Sequence, residues 1–486
     1  MKLFILGHDF AYEMECVLRL FFPGEKIEIL RENNANADNA VITQLNKEDG
    51  RTEILVSVAV GSFASVKSMD IIHADEDKNT ERLMAVLMFA QLCEYTGMRP
   101  PWGILTGVRP VRFCRSLIEE GKTKAEAAEI LVRDYLVLPQ KAGFALETYK
   151  NEEKILAMNS ERFFSLYISI PFCPSRCSYC SFVSQDIQKG MKLIPDYVGL
   201  LCEEIKYTAQ TVQECGLMLQ TVYIGGGTPT TLEAESLEII MQAVKESFDF
   251  SGLIEYTVEA GRPDTITAEK LSTIKTMGAT RISVNPQTMN DAVLAQIGRK
   301  HSAQQSVEAF MLARQIGFDC INMDLIAGLP GDSNKSFENT IDKVLELAPE
   351  NITIHTLTVK RSSNLREDSG AYDEPDMDIA DALNLAGERL TAAKYMPYYM
   401  YRQKGTKGNL ENTGYTLAGS EGIYNVYVME ELHTVLAVGA GAVTKLCLHG
   451  DIKRIYNYKY PYEYINGFDE MLRRKSETKN WFAKKY

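Results

Sequence analysis

The sequence predicts an α/β protein whose central domain is a six-unit β/α barrel or partial barrel. Strand-like apolar runs begin near residues 166, 221, 255, 280, 320 and 351, and amphipathic helical stretches such as YVGLLCEEIKYTAQTVQEC lie between them. This strict alternation favours a parallel sheet wound in one sense. In such a fold, the loops that leave the carboxyl ends of the strands build the active site.

Three further segments flank the barrel, which we place at 161–394. Residues 1–97 combine strand-like runs with one long helical run, and they are predicted to form a small α/β domain. Residues 98–160 begin with MRPPWGILTGVRPVR and continue at helical spacing, which indicates a connector and a helical segment. Residues 395–486, rich in Tyr and Gly, are predicted to form a small C-terminal domain that covers the active site.

Composition excludes several classes of function. The chain of 486 residues is 45% hydrophobic and carries a net charge of −13, which argues against a nucleic-acid partner because that surface needs a basic stripe. The best apolar stretch, ILVSVAVGSFASV, stops at Lys67 and is too short for a membrane span. The start, MKLFILGHDFAYEMEC, lacks the small-residue cleavage site of a signal peptide. We therefore expect a soluble, cytoplasmic protein, and a monomer.

Three of the ten cysteines are clustered directly after the first barrel strand, in YISIPFCPSRCSYCSF. Cys173, Cys177 and Cys180 form a C-x3-C-x2-C pattern. A structural zinc site usually has four closed ligands, and no fourth ligand lies nearby in the sequence. Three thiolates on one loop instead leave one iron of a 4Fe–4S cube open to a substrate or cofactor. The pattern therefore favours a 4Fe–4S cluster over zinc.

The second barrel loop, YIGGGTPT, contains a glycine triplet at Gly225, Gly226 and Gly227. Such a triplet alone is typical of any tight turn. It lacks the Lys-Ser/Thr of a phosphate loop and the spacing of a dinucleotide-binding fingerprint. The triplet follows the second predicted strand, and it indicates a functional site only in combination with the cysteine pattern on the first loop.

Together, these two loops resemble those of the radical S-adenosylmethionine (SAM) enzymes. The resemblance implies a six-unit (β/α) partial TIM barrel and a 4Fe–4S cluster whose open iron chelates the methionine part of SAM. It also implies release of a 5′-deoxyadenosyl radical that abstracts hydrogen. The protein's own part is to orient the cofactor and to exclude water.

More narrowly, the stretch from Tyr167 to about Leu446 resembles the oxygen-independent coproporphyrinogen III oxidases, also called coproporphyrinogen dehydrogenases. The matching pieces are YISIPFC, GGGTPT, TVEAGRP, RISVNPQ, IGRKHS, NMDLIAGLPGD and VGAGAVTK. With YRQKGTKGNLENTGY and the long N-terminal extension, the likeness is to the HemZ-like subgroup. The resemblance implies decarboxylation of two propionates of coproporphyrinogen III to vinyl groups in haem biosynthesis. It also implies an electron donor such as flavodoxin or ferredoxin.

The resemblance assigns roles to individual residues as well. Those implied to line the SAM site beside the cluster are Tyr167, Tyr179, Gly226, Gly227 and Thr228. Those implied to hold cofactor, in a family where a second SAM can sit beside the first, are Gln287, Arg299 and Asp324. Glu259 would accept hydrogen bonds from a ribose or amino group, and Val443 would pack on an adenine. From the residues alone, simpler roles stay open, such as an ion-pair partner for Glu259 or a core position for Val443.

A ligand with four propionates needs local positive partners in a chain of net charge −13. The sixth strand runs into TVKRSS, which places Lys360 and Arg361 on the rim of the active site. The C-terminal segment begins with YRQK, whose Arg402 could close over the same mouth. Because arginine binds carboxylates bidentately, Arg361 and Arg402 are the first candidates for substrate binding. The alternative is that all three are solvated surface charges.

Two positions depart from the pattern of the oxidases. The oxidases carry a fourth Cys two positions after the third ligand, where this chain has Phe182. They also carry a His two residues beyond the strand Tyr, where this chain has Ser169. Phe182 is shared with the haem-chaperone branch of the family. A haem carrier and another radical SAM tetrapyrrole-modifying enzyme therefore stand as alternatives to the oxidase.

Overall fold

A computed structural model divides the chain into two compact units. One unit comprises Met1–Tyr149 with Tyr401–Glu411, and the other comprises Lys150–Met400 with Asn412–Tyr486. These bounds differ from the predicted ones at 97, 160 and 394. The structure describes residues 1–32, 39–48, 51–71, 77–182, 184–360, 363, 377–403 and 406–483.

The first unit contains a mixed five-stranded sheet with the order β2-β1-β3-β4-β5. Its strands are β1 (Lys2–Leu6), β2 (Glu28–Leu30), β3 (Ala40–Glu48), β4 (Arg51–Val60) and β5 (Phe63–Ile71). Its helices are Ala11–Phe21, Asp77–Thr96, Pro110–Glu119, Lys124–Asp134 and the part of Pro139–Leu156 that ends at Tyr149. Alternate residues of β4 are buried, and Ile54, Val56 and Val58 share a core with Met88 of the long helix. The strand β5 was missed in the sequence because five of its nine residues are exposed and polar residues interrupt its apolar ones.

The helical segment predicted within residues 98–160 consists of three helices. The first break, between Glu119 and Lys124, contains Gly121, whose φ of +89° belongs to the left-handed region that glycine adopts readily. The next helix then starts at a capping box, in which Thr123 and Glu126 each bond the other's backbone N–H. Pro139 begins the last helix at the position that proline favours. The first two helices belong to the first unit, and the boundary of that unit falls within the third helix, after Tyr149.

The second unit is built around an eleven-stranded sheet with the order β14-β15-β13-β12-β11-β10-β9-β6-β16-β17-β18. The six predicted barrel strands are confirmed as a continuous parallel set: β6 (Phe163–Ile170), β9 (Met218–Gly226), β10 (Glu255–Glu259), β11 (Arg281–Ser283), β12 (Cys320–Ala327) and β13 (Asn351–Thr356). A separate short pair consists of β7 (Phe172–Cys173) and β8 (Gln185–Asp186). The parallel set places the carboxyl ends of its six strands at one edge of the sheet.

The C-terminal region continues this sheet instead of forming a body of its own. Its strands are β14 (Met396–Arg402), β15 (Glu411–Thr416), β16 (Thr434–Val438), β17 (Val443–Leu448) and β18 (Asp451–Tyr456). Backbone pairing is the reason, because β16 runs parallel to β6 and β15 runs antiparallel to β13. Both outer barrel strands thereby gain a neighbour.

Helices connect the parallel strands and cover the sheet. They are Ile187–Gly190, Ile194–Cys215, Ala234–Ser247, Ala268–Thr276, Asp291–Gln296, Ala303–Ile316, Asn334–Leu347, Ile379–Ala392, Ile423–Glu430, Pro461–Asn466, Phe468–Lys475 and Glu477–Ala483. Across the part of the chain that the structure describes, none of the helices has the length and apolar character needed to cross a membrane.

Candidate functional site

The three clustered cysteines lie on the loop that follows β6. Cys173 is the last residue of β7, and the loop is closed where the backbone N–H of Gln185 donates to the Pro171 carbonyl at 2.7 Å. Its middle is held by a bond of 3.1 Å from the Ser178 N–H to the Ile297 carbonyl. Cys177 is buried and the other two cysteines are half-buried. The sequence prediction of one shared loop at the end of the first barrel strand therefore matches the backbone.

The three thiols are electrostatic neighbours. Burial, together with the nearby Cys177 and Cys173, raises the pKa of Cys180 to about 11. Burial also raises the pKa of Cys173. A bound metal would convert such thiols to thiolates, because its positive charge stabilises the ionised form. Within the described residues, no three Cys, His, Asp or Glu side chains are already arranged around a single metal-ion position.

The glycine loop after β9 lies directly against the cysteine loop. The N–H of Gly227 donates to the Ile170 carbonyl at 2.8 Å, and Gly226 has a φ of +109° that only glycine adopts easily. A Cβ at Gly227 would lie 2.5 Å from the Phe172 carbonyl oxygen and 3.0 Å from Cys173 Sγ. The hydroxyl of the buried Thr228 lies 3.5 Å from the same sulfur. The absence of side chains at the triplet is what lets the two loops meet.

Glu259 is the last residue of β10, and its carboxylate accepts a hydrogen bond from the Tyr223 hydroxyl on the neighbouring strand. Burial raises the pKa of Glu259 to about 7. The Tyr223 bond lowers that pKa and the charge of Asp324 raises it. The carboxylate is therefore poised to change protonation near neutral pH.

Asp324 lies within β12, and Gln287, four residues beyond the end of β11, lies beside it. The N–H of Gln287 donates to the Asp324 carbonyl at 2.9 Å, and Gln287 has a φ of +68°, which is strained for a non-glycine residue. The Asp324 carboxylate accepts from the Asn322 amide at 2.8 Å and lies 3.9 Å from His355 Nε2. Burial raises the pKa of Asp324, but its bonds and the His355 charge lower that pKa more, so it lies below its usual value.

Arg299 joins several loops at the carboxyl ends of the strands. Its Nη1 donates to the carbonyls of Asn285 at 2.6 Å and Gly261 at 3.2 Å. Its Nη2 donates to the Tyr179 hydroxyl at 3.2 Å. Among the described residues, the buried Nε has no hydrogen-bond partner. The structure thus brings Tyr179 and Arg299 together, and it leaves one guanidinium donor available to a ligand.

Tyr167 belongs to a stack of three aromatic rings. Its ring centroid lies 6.2 Å from that of Tyr223 and 6.3 Å from that of Tyr424. Tyr223 and Tyr424 stack at 4.4 Å with an interplanar angle of 21°. Burial raises the pKa of Tyr167, and the Glu259 carboxylate raises it further. Sequence reasoning missed Tyr223 and Tyr424; the latter lies on the helix Ile423–Glu430 and carries no motif.

A turn at residues 439–442, between β16 and β17, packs against Ser169 near the end of β6. The Ser169 hydroxyl donates to the Ala440 carbonyl at 2.7 Å. A Cβ at Gly439 would lie 2.5 Å from the Ser169 carbonyl oxygen, so this turn also requires a glycine. Val443 is the first residue of β17, directly after the turn. The role of Val443 at an adenine stays a prediction.

The candidate substrate-binding residues are not brought together by contacts in the described residues. Lys360 is exposed, four residues beyond the end of β13. Arg361 lies outside the described residues. Arg402 is buried, and its guanidinium donates to the carbonyls of Leu105 and Asn409, while its Nη2 has no hydrogen-bond partner among the described residues. Their role in carboxylate binding stays a prediction.

Sequence reasoning also missed Arg262, which lies in the quoted stretch TVEAGRP. This buried arginine is three residues beyond the end of β10, and its Nη1 lies 3.6 Å from Cys177 Sγ. Asp264 binds its guanidinium at 2.9 and 3.0 Å, and His301 Nδ1 lies 3.7 Å from the same carboxylate. An arginine between a β-strand and a proline carries no signal of its own in a single sequence.

Comparisons with known proteins agree with this geometry. The family described as "Radical SAM superfamily" matches residues 167–344. The chain is similar to the oxygen-independent coproporphyrinogen-III oxidase-like protein HemZ of Bacillus subtilis, with 36% identity over 414 residues, which are 83% of this chain and 81% of that protein. It is also similar to the haem chaperone HemW of Haemophilus influenzae, with 32% identity over 62% of this chain and 76% of that protein.

The fold is similar to that of a solved structure. The coproporphyrinogen III oxidase HemN of Escherichia coli matches with a TM-score of 0.51 and 24% identity, over 66% of this chain and 72% of that chain. This match supports the radical SAM fold that the sequence predicted.

Proposed function

The chain belongs to the family of oxygen-independent coproporphyrinogen-III oxidase-like radical SAM proteins, and we propose that it decarboxylates coproporphyrinogen III to protoporphyrinogen IX without oxygen. The family uses a 4Fe–4S cluster and SAM. The observation that carries the proposal is the similarity to HemZ over four fifths of both chains. In the net reaction, each of two propionates gives a hydrogen atom to the deoxyadenosyl group that SAM supplies and one electron to an external acceptor, and it releases carbon dioxide to leave a vinyl group.

Cys173, Cys177 and Cys180 are the proposed ligands of the cluster. Their support is a shared loop, mutual electrostatic influence and the close approach of Gly227 to Cys173 Sγ. Three protein thiolates leave one iron free for a cofactor. The buried surroundings of these thiols also fit a cluster, because exclusion of water protects the reactive species formed there.

A second set of side chains is proposed to hold SAM beside the cluster. When bound, the cluster and SAM together supply a carbon-centred radical that abstracts a hydrogen atom. The ionised Glu259 offers acceptor oxygens to a ribose or amino group at the end of β10. The unpartnered Nε of Arg299 offers a donor, and the strained Gln287 is typical of a residue fixed in place for a ligand. These features support a polar ligand at the carboxyl ends of β10 to β12.

Lys360, Arg361 and Arg402 remain the proposed partners of the substrate carboxylates. A carboxylate bound by arginine gains charge-assisted hydrogen bonds, and the net charge of −13 makes such local partners necessary. For Arg402 the support is its buried Nη2, which has no hydrogen-bond partner among the described residues. Arg402→Ala is expected to weaken porphyrinogen binding by about 1.5–3 kcal/mol and to spare SAM binding.

The deciding experiment is anaerobic incubation of the iron-reconstituted protein with coproporphyrinogen III, SAM and reductant, followed by mass analysis of the tetrapyrrole. We expect loss of two carboxyl groups together with formation of 5′-deoxyadenosine. Cys180→Ala, which removes one proposed ligand, is the matched control and is expected to leave the substrate unchanged. An unchanged tetrapyrrole with the fully loaded wild-type protein contradicts the oxidase proposal.

A haem carrier is the second candidate, and a specific observation favours it. Where the oxidases carry a His, this chain has Ser169, whose hydroxyl is already bound to the Ala440 carbonyl. Where they carry a fourth Cys, it has Phe182, whose surface is 66% exposed. Similarity to HemW points the same way. Stoichiometric haem binding without 5′-deoxyadenosine formation would establish this candidate in place of the oxidase.

A further inference from the structure

A buried guanidinium group faces the sulfur of one of the three clustered cysteines. Arg262 is 3% exposed, and its Nη1 lies 3.6 Å from Cys177 Sγ. The same nitrogen donates to the Ser175 carbonyl at 3.3 Å, and Nη2 donates to the Ser175 hydroxyl at 3.2 Å. Arg262 therefore contacts both the backbone of the cysteine loop, at Ser175, and the sulfur of Cys177.

The orientation of this guanidinium is fixed from its other side. Asp264 accepts from Nε at 3.0 Å and from Nη2 at 2.9 Å, which is the parallel two-bond geometry that arginine forms with a carboxylate. His301 and Arg262 in turn keep the pKa of Asp264 well below its usual value, although burial raises it. With Nε and Nη2 bound to the carboxylate, Nη1 is the donor that faces Cys177 Sγ. Lysine has no such planar fork and could not bind both partners in this way.

We propose that Arg262 is a positioning residue that sets the reduction potential of the cluster through Cys177. The inference rests on the proposed binding of the cluster by the three cysteines. Reduction adds negative charge to a cluster and its thiolates, so a fixed cation and N–H donor at a ligating sulfur stabilises the reduced form. Because the site is buried, solvent screens this interaction little. Arg262 thus makes the cluster easier to reduce by a one-electron donor.

The test is a redox titration of the reconstituted full-length protein, with the reduced cluster followed by electron paramagnetic resonance. At a fixed potential, Arg262→Gln is expected to lower the ratio of reduced to oxidised cluster about tenfold, which corresponds to 59 mV for one electron. Arg262→Lys keeps the positive charge but not the planar guanidinium, so its ratio of reduced to oxidised cluster should lie between those of wild type and Arg262→Gln. Arg281→Lys is the matched control, since this arginine donates to the Ser420 carbonyl and the Asn351 side chain.

Each outcome decides between a role in setting the potential and a merely structural one. An unchanged potential in Arg262→Gln, with full iron and sulfide, overturns the inference. If Arg262→Gln fails to load a cluster, Asp264→Asn decides, because it keeps the cation and only loosens its orientation. A lowered potential in Asp264→Asn then supports the inference, whereas an unchanged potential, or no cluster in a folded protein, overturns it. A wild-type protein without iron would instead contradict the proposed cluster site itself.

Discussion

The hydroxyl of Tyr223 donates a hydrogen bond to the carboxylate of Glu259, and the two residues lie on the neighbouring parallel strands β9 and β10. Burial raises the pKa of Glu259 to about 7, while the Tyr223 bond holds it lower than burial alone would. Glu259 is therefore a carboxyl group in buried surroundings that favour its protonated, neutral form. Such a conflict between stability and charge is common at functional sites.

Glu259→Gln is expected to stabilise the cofactor-free protein at pH 8. Glu259 has a folded-state pKa above its ordinary value of 4.5, so its stabilising contribution is full below pH 4.5 and is lost as the pH rises through about 7. The neutral amide avoids this loss and should gain about 3 kcal/mol at pH 8, with the gain vanishing near pH 4. Chemical denaturation at both pH values checks this. Equal stabilisation at the two would contradict the assignment.

Tyr223→Phe is expected to shift the pH dependence of SAM binding upwards. If the ionised Glu259 accepts hydrogen bonds from SAM, the affinity falls about tenfold per pH unit below the pKa of Glu259. Loss of the Tyr223 bond removes an influence that lowers this pKa, so the midpoint should move above 7. Calorimetric titration of the reconstituted protein between pH 6 and 9 measures it. Tyr256→Phe is the control, because the Tyr256 hydroxyl has no hydrogen-bond partner among the described residues.

The parts of this site that the sequence predicted are those encoded by local spacing. Three cysteines within eight residues and three consecutive glycines are visible in any single chain, and the barrel strands that precede them are continuous apolar runs. Tyr424 and Arg262 were invisible for the opposite reason. Tyr424 reaches the stack only because the helix Ile423–Glu430 packs near strands about 200 residues earlier in the chain, and a contact of that kind leaves no local pattern.

Cys173→Ala, Cys177→Ala and Cys180→Ala are each expected to lose the iron–sulfur cluster. The reason is that all three thiols share one loop, and a 4Fe–4S cluster with only two protein thiolates is poorly held. Iron and sulfide analysis after anaerobic purification measures the loss. Cys202→Ala, on the helix Ile194–Cys215, is the matched control and should retain wild-type iron. Zinc in the wild-type protein, or full iron in any of the three variants, would contradict the proposed ligand set.

Ser169→His, which restores the histidine of the oxidase pattern, is expected to destabilise the protein by about 1–3 kcal/mol. Ser169 is buried, and glycines at Gly226 and Gly439 lie so close that a Cβ on either would be within 3.3 Å of its atoms. A larger ring must therefore displace one of the two turns. Ser169→Ala should cost only about 1 kcal/mol, the value of one hydrogen bond.

Ser178→Ala provides the reference for these two variants. Its hydroxyl is buried without a hydrogen-bond partner among the described residues, so this substitution should change stability by less than about 0.5 kcal/mol. All three proteins are compared by thermal unfolding in the absence of cofactor. Full stability in Ser169→His would mean that the chain accepts the oxidase residue, and the departure at this position would then carry no argument for the haem carrier.

The place of residues 401–411 could not be predicted, because it depends on partners about 300 residues away. These residues belong to the first unit, in which the buried Glu411 pairs with Lys141 at 2.5 Å and accepts from Trp102 Nε1 at 2.7 Å. In the sequence, Glu411 is one acidic residue in a polar stretch. A fragment that starts near Ser160 would therefore keep Glu411 and lack both partners, which makes truncation a poor test of the N-terminal region.

Lys141→Met is the sharper test of that region, and it is expected to destabilise the first unit by about 3 kcal/mol. Burial raises the pKa of Glu411, but the charge and hydrogen bond of Lys141 lower it more, so it lies below its usual value. The pair thus stabilises the fold above the ordinary pKa of a carboxyl group, and this contribution is lost as the pH falls through the lower folded-state pKa. The difference between wild type and variant should accordingly be largest near neutral pH and shrink in acid. Urea unfolding, followed by the fluorescence of Trp102 in a Trp481→Phe background, measures the stability of this unit. The control is Lys122→Met, which changes an exposed lysine and should unfold like wild type. An equally small effect of Lys141→Met would show that the ion pair contributes nothing to the fold.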